Sequence, residues 1–449
     1  MKTIAGICTP PGTSGIGIVR LSGADALDIA QKMFIPRGVP PHAPLLPKTA
    51  TLGEVFGENF SDTCIAIYFK APHSFTGEDT IEFQCHGGWF LLQQVVRTAI
   101  KNGAVAAERG EFSKRAFLNG KMTLDQAEAI IDIINAESEL QLRAASTIYR
   151  GTLKQKVGEA EQTMVEACAR LEAALDYPDE VNPQLDDVNA LLDAAIKEID
   201  ALIATFDQGR IIANGVHVAV VGRPNVGKSS LFNALLDNER SIVTDIAGTT
   251  TDTITDGIIY NGIKFILSDT AGVREGRGKI EKLGVARTRA AIEDCDAVLA
   301  VFDVATAPHD EDAKILNLIK NKPAVVVLNK QDRGGDTGIW KKFLGRDFLT
   351  ASAKTGGNIA RIKQQLFDIS VAGEKVCDGV IITNQRHLGA LVRAREALCD
   401  AQAGLGGNIT LDCVATDIRA ALASIGEITG TVAGDAVLNE VFSRFCLGK

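Results

Sequence analysis

No stretch of this chain is apolar for long enough to cross a membrane as a helix. No block of Lys and Arg forms a basic tail. The net charge of −9 argues mildly against a protein that coats nucleic acid, although a local contact stays open. The nine cysteines contain no Cys-x-x-Cys pair. Scattered thiols in odd number speak against a disulfide framework or a zinc site and for a reducing compartment. Met1-Lys2-Thr3-Ile4 runs too soon into Pro10-Pro11-Gly12 to be a signal peptide, so the expected location is cytoplasmic, with no membrane association. What is plentiful is apolar material, 46% of 449 residues. A chain of this length is expected to form roughly two to four domains.

The most informative stretch is Gly222-Arg223-Pro224-Asn225-Val226-Gly227-Lys228-Ser229, which follows the apolar run His217–Val221 and opens into Ser230–Leu236. Strand, Gly-rich loop and helix in that order give a G-x-x-x-x-G-K-S pattern the context of a phosphate site. Glycines let successive N–H groups converge on one anion, and the helix N-terminus adds donors and a positive dipole end. Lys228 is expected to reach the β- and γ-phosphates, and the Ser229 hydroxyl to hold Mg²⁺. Three further segments each follow an apolar run: Asp269-Thr270-Ala271-Gly272, Asn329-Lys330-Gln331-Asp332 and Ser352-Ala353-Lys354. A carboxylate at position 332 can accept from N1–H and the N2 amino group of guanine, donors that adenine does not place there. Strand-end loops meeting at one edge of a parallel sheet are where α/β folds bind ligands. The combination predicts a GTP-binding domain of P-loop, Ras-like type.

Residues 1–120 read as α+β, with strands at Ile16–Leu21, Cys64–Phe69 and Thr80–Phe83, a helix over Phe90–Ile100 and a surface loop over Pro36–Pro47. Arg20, Glu82 and Lys121 keep odd company, although side chains that simply face solvent would look the same. Residues 121–210 read as helical. Leu153, Val157, Ala160, Met164, Ala167, Leu171 and Ala174 form one narrow stripe, and Val188, Leu192, Ile196, Ile199, Ile203 and Phe206 nearly form another. Tyr177-Pro178-Asp179-Glu180 separates them. Helical character returns over Asn384–Asp400 and Thr416–Ala423, within residues 373–449. So short a segment makes a poor core alone. We therefore expect it to pack on the helices before residue 210, with the GTPase domain, 211–372, inserted into an all-α domain.

Two features are missing from the nucleotide segments. Val273 follows Gly272 where signalling GTPases carry a water-orienting Gln, and no internal arginine finger is evident. The loop Thr244-Asp245-Ile246-Ala247-Gly248-Thr249-Thr250 can offer carbonyls to a cation, and Thr250 can bind Mg²⁺ and γ-phosphate. An ordinary switch loop with an activator from another protein fits as well.

Taken with Gly17–Ser22, Ser74–Asp79, His86-Gly87-Gly88, Gly110–Asn119, Tyr177–Glu180 and Phe445-Cys446-Leu447-Gly448-Lys449, the chain resembles the MnmE (TrmE) family of tRNA modification GTPases along essentially its whole length. The resemblance implies a homodimer that works with the FAD-containing partner MnmG in a heterotetramer or larger complex. It implies an aminomethyl or 5-carboxymethylaminomethyl-type modification at C5 of the wobble uridine, position 34, of certain tRNAs. The one-carbon unit would come from a tetrahydrofolate derivative (5,10-methylene or 5-formyl) in the N-terminal domain, lined by Arg20, Glu82, Lys121 and Lys449. Potassium would replace the arginine finger, held by Asn225, Thr244, Ile246 and Thr249. Glu281 would orient water, and Cys446 would belong to the tail needed for modification, pointing with Lys449 into the folate site. Thr251, where relatives usually carry Arg, and Leu447, where Ile is usual, depart from the pattern. The alternatives are a ribosome-assembly GTPase acting on ribosomal RNA and a folate-binding protein with a regulatory GTPase. Gly404-Leu405-Gly406-Gly407 formally fits a KH loop but lacks nearby Lys or Arg and reads as a turn.

Overall fold

The computed structural model describes residues 1–38, 40, 44–177, 185–236, 255–269, 289–371, 379–407, 410–432, 434–445 and 448, with the backbone alone at 255, 256 and 269. Two compact units emerge: Met1–Ile134 with Ile148–Ile199 and Ala390–Lys449, and Asn135–Thr147 with Asp200–Gly389.

In the first unit, β1 (Ile4–Ile7), β2 (Thr13–Ser22), β3 (Phe34–Pro36), β4 (Ala50–Gly57), β5 (Phe60–Phe69), β6 (Thr80–Gly88) and β7 (Val105–Ala106) form a sheet in the order β3-β4-β5-β6-β2-β1-β7. All neighbours are antiparallel except β1 and β7. Alternation sends Val19, Leu21, Ile81 and Phe83 into a core shared with Leu92, Val95 and Ala99 of helix Trp89–Lys101. The intervening residues Arg20 and Glu82, paired in register, therefore face the other way.

Helix Thr152–Asp176 buries every residue of its expected stripe, from Leu153 to Ala174. Helix Leu185–Ile203 shifts phase: Val188, Leu192, Ala195, Ile199 and Leu202 are buried, whereas Ile196, Ile203 and Phe206 are only half-buried. The buried set alternates four and three, the spacing that keeps one seam on a helix face, and the small Ala195 fits that seam. In the second half of the chain, Gln385–Leu405, Leu411–Thr429 and Asp435–Ser443 are helical. Leu411–Thr429 lies along Thr152–Asp176, where Arg419 reaches Glu172 at 2.6 Å. Leu438, Val441, Phe442 and Phe445 pack on Leu124, Ala127 and Ile130. Leu405 ends its helix and Gly406-Gly407 form a turn, with no strand alongside among the described residues.

The second unit holds β8 (Val216–Val221), β9 (Thr255–Tyr260), β10 (Ile263–Asp269), β11 (Ala297–Asp303), β12 (Ala324–Asn329) and β13 (Leu349–Thr350), in the order β13-β12-β11-β8-β10-β9. Only β9 and β10 are antiparallel. All of β11 is buried, as a central parallel strand covered on both faces requires. Helices Lys228–Leu236 and Ile359–Val371 supply one apolar layer, and Ile292, Ile319 and Trp340 help form the other. Residues 135–147 join this unit: Gln141 Nε2 donates to Ala213 O at 3.1 Å, Glu137 pairs with Lys264, and Leu140 packs against the sheet core.

The chain is thus multidomain. It combines an α+β N-terminal domain, an all-α domain built from segments on both sides of the insertion, and an inserted α/β P-loop domain. No described helix is long and apolar enough to cross a membrane. The described cysteines are all free thiols.

Candidate nucleotide site

The C-terminal ends of β8, β10, β12 and β13 lie along one edge of the six-stranded sheet, because these strands run parallel. The loop after β8 takes left-handed backbone at Asn225 (φ +65°) and Gly227 (φ +95°). A side chain at 227 would put its Cβ 2.4 Å from Asn329 Nδ2, so that position must be Gly. Val226 is buried in the sheet core and anchors the loop from below. Lys228 folds back over the loop, donating to Gly222 O and Arg223 O at 2.8 Å each. Ser229 and Ser230 stand exposed on the first turn of the helix.

The segment after β12 is bonded to this loop. Buried Asn329 donates from Nδ2 to Val226 O at 3.0 Å, and its Oδ1 accepts from Ala353 N at 3.1 Å. Lys330 Nζ donates to Asn225 O at 2.5 Å and to Asp303 Oδ2 at 2.6 Å. Asp332 is exposed, and its Oδ1 accepts from Ser352 Oγ at 2.6 Å. That hydroxyl holds the Asp332 carboxyl below its ordinary value, so an acceptor-only group waits at the edge. Ala353 and Lys354 follow it, Lys354 exposed. The arrangement suits a purine with two adjacent N–H donors beside a polyphosphate.

Asp269 ends β10 beside Val220, but its side chain lies outside the described residues. So do Thr244, Asp245, Ile246, Ala247, Gly248, Thr249, Thr250, Thr251, Thr270, Ala271, Gly272, Val273 and Glu281.

A second polar cluster lies on the seven-stranded sheet. Arg20 Nε and Nη2 both reach Glu82 Oε1 at 2.8 Å. The guanidinium lies over the rings of Phe75 and Phe112, 5.3 and 5.4 Å from their centroids. Beside it, Ser22 Oγ donates to Glu78 Oε2 at 2.8 Å, and buried Arg115 bridges Glu78 at 3.0 Å and Glu111 at 2.8 Å. Lys121 Nζ donates to Pro72 O at 3.0 Å and its stem lies along Gly77. Gly448 sits against β1, where a Cβ would fall 1.9 Å from Ile7 O. Cys446, Leu447 and Lys449 lie outside the described residues. Sequence reasoning singled out Arg20 and Glu82 but passed over Phe75, Phe112, Glu78 and Arg115. All four did stand in segments that carried the family resemblance, Ser74–Asp79 and Gly110–Asn119.

Comparison with known proteins covers both halves of this picture. Residues 3–121 match the model of the GTP-binding protein TrmE N-terminus, and residues 124–446 match that of the MnmE helical domain. The chain is 40% identical to the tRNA modification GTPase MnmE of Caldicellulosiruptor saccharolyticus over 458 residues, covering 100% of this chain and 99% of the relative. It is also 40% identical to the protein of that name from Moorella thermoacetica, over 461 residues with the same coverage. A solved structure of Era with MgGDPNP and a segment of 16S ribosomal RNA is 30% identical, covering 40% of this chain and 66% of that one at TM-score 0.29. With a P-loop edge on one sheet, both family models matched and end-to-end similarity to proteins of that name, the chain belongs to the MnmE (TrmE) family of tRNA modification GTPases.

Proposed function

We propose that the chain hydrolyses GTP and, with a flavin-bearing MnmG-type partner, uses a folate one-carbon unit to modify the wobble uridine of certain tRNAs in the cytoplasm. The observation that carries the nucleotide half is the Ser352–Asp332 bond at the same sheet edge as the Gly222–Gly227 loop. An ionised carboxylate held rigidly there selects guanine through charge-assisted hydrogen bonds. Ser229, on the exposed first turn, and Thr250 would hold Mg²⁺. Asn225, Thr244, Ile246 and Thr249 would hold potassium, which supplies positive charge at the phosphates. The left-handed backbone of Asn225 is fixed by Lys330 on its carbonyl, which leaves the amide side chain available on the exposed rim. Glu281 would orient water.

The folate half rests on the Arg20–Glu82 pair. Glu82 Oε2 can accept from a pterin amino group, and Lys121 or Lys449 can pair with a glutamate tail. The seat of Gly448 on β1 supports a tail that brings Cys446 and Lys449 toward this face. We read the domains as 1–120, 121–210 with 373–449, and 211–372, in a homodimer.

The test is GTP hydrolysis in KCl and NaCl at equal ionic strength. Faster turnover in KCl, with the difference reduced by Asn225→Ala, is expected; positive charge at the transition state is often the largest catalytic term. Equal rates in both salts overturn the potassium assignment. Wobble uridines that stay normal by mass spectrometry in a deletion strain overturn the tRNA assignment.

A further inference from the structure

The loop after β11 carries none of the nucleotide-binding segments, yet it grips the phosphate loop. Arg223 Nε donates to Asp312 Oδ1 at 2.7 Å. Asp312 is fully buried, and Arg223 is 18% exposed at its side chain. The other carboxylate oxygen accepts from His309 N at 2.9 Å, at the start of helix Asp310–Leu318. Asp312 is thereby fixed by its own helix before it meets the loop. Arg223 Nη2 also reaches Thr306 Oγ1 at 3.5 Å, a weaker contact. The Arg223 carbonyl, in turn, accepts from Lys228 Nζ.

We propose that Asp312 is a positioning residue for the phosphate site: through Arg223 it fixes the backbone segment that aims Lys228. The inference rests on reading Gly222–Ser229 as a GTP phosphate site. Two observations separate this tie from an ordinary surface ion pair. First, the carboxylate is wholly buried, and a buried carboxylate needs partners that fill its acceptor sites. Asp312 has one on each oxygen. Second, the tie enters the loop at the residue just before Pro224, where one side chain sets the direction of the chain into the left-handed Asn225. On the far side of Pro224, Lys330 Nζ donates to the Asn225 carbonyl and is itself paired with Asp303. The loop is thus held on either side of Pro224 by cations, Arg223 and Lys330, whose partners Asp312 and Asp303 lie in a single segment. Its shape is therefore set before any anion arrives. Preorganised donors bind more tightly because no ordering cost falls on binding.

The primary variant is Arg223→Lys. It keeps the charge opposite Asp312 but cannot reproduce the Nε bond or the planar fork. Asp312→Asn keeps the shape and an acceptor for His309 N while removing the charge. Loss of one charge-assisted hydrogen bond corresponds to about tenfold in affinity. Both variants of the full chain are expected to bind GDP and GTP about tenfold more weakly, with faster GDP release. The preference for guanine over xanthine nucleotides should not move, because Asp332 is untouched. A double variant, Arg223→Met with Asp312→Leu, replaces the pair by apolar packing and should show the same weakened binding in a folded protein. GDP affinities within about twofold of the unmodified chain in Arg223→Lys and in the double variant overturn the positioning role. A lowered melting temperature with unchanged nucleotide affinity does so too, since it marks Asp312 as a helix cap only. An unmodified chain that binds no GDP instead overturns the phosphate-site reading itself.

Discussion

The two sheets present charge in opposite ways. At the edge of the six-stranded sheet, cations reach the backbone of the phosphate loop, Lys228 the carbonyls of Gly222 and Arg223 and Lys330 that of Asn225, while Lys330 and Arg223 also pair with Asp303 and Asp312. On the face of the seven-stranded sheet, cations bond to carboxylates: Arg20 to Glu82, Arg115 to Glu78 and Glu111. The first arrangement fixes the shape of a main-chain loop that can serve as a template for an anion. The second spends charge on charge and leaves a neutral, aromatic-walled face with single lone pairs and donors to offer. A polyphosphate suits the first and a flat heterocycle with a short acidic tail suits the second.

The sharpest break in that contrast is Asp332→Asn. Two charge-assisted hydrogen bonds to guanine are worth about 3–6 kcal/mol together, so GTP affinity should fall by about a hundredfold or more while a xanthine nucleotide gains. Fluorescent nucleotide titration measures both, and an unchanged GTP affinity would remove Asp332 from the base site. Next in size is Glu82→Gln, which keeps shape but removes charge. Calorimetry with a 5-formyl folate should show a loss of about tenfold or more, while GTP hydrolysis by the same protein holds. If folate binding and GTP hydrolysis fall together, the two regions are not independent.

Smaller effects come from hydrogen bonds that tune each region. The Ser352 hydroxyl keeps Asp332 ionised below its ordinary value of 3.8. A depressed carboxyl supports GDP binding above its own pKa and loses it as pH falls through that value. Ser352→Ala should therefore move the acid limb of GDP binding to higher pH, whereas an unmoved limb denies the bond any role. In the other region Tyr68 donates to Asp79 Oδ1 at 2.9 Å, and burial, then that bond, push the phenol up to about 12. Its stabilising effect is full below the unfolded value of about 10 and is lost as pH rises from there through about 12. Tyr68→Phe should cost about 1 kcal/mol at neutral pH and flatten the alkaline loss seen in urea titrations.

The contrast also explains what the sequence disclosed. A main-chain template needs special residues at fixed local spacing, so Gly222–Ser229 could be read directly. The stripe from Leu153 to Ala174 was legible for the same reason, being local and periodic. A strand-face site is assembled from residues far apart: Arg20 and Glu82 are separated by 62 positions, Glu78 and Arg115 by 37. Nothing in spacing could pair them, and nothing local set the rings of Phe75 and Phe112 apart. Asp312 lay in an unremarked polar stretch and gained meaning only through Arg223. Helix Asp435–Ser443 escaped notice because its buried residues, Leu438, Val441 and Phe442, span barely one turn.

Residues 135–147 bear on how a catalytic fragment should be cut. A fragment begun at Asp200 would keep all six strands from β8 to β13 but shed this strap. Lys264 would lose Glu137, the Ala213 carbonyl would lose its amide donor, and the apolar surface under Leu140 near Gly262 would meet water. Such a fragment invites self-association at the β9–β10 hairpin. A graft that carries 135–147 on a short linker ahead of residue 200 would restore the covering, and the better-behaved protein would come from joining two distant pieces of chain.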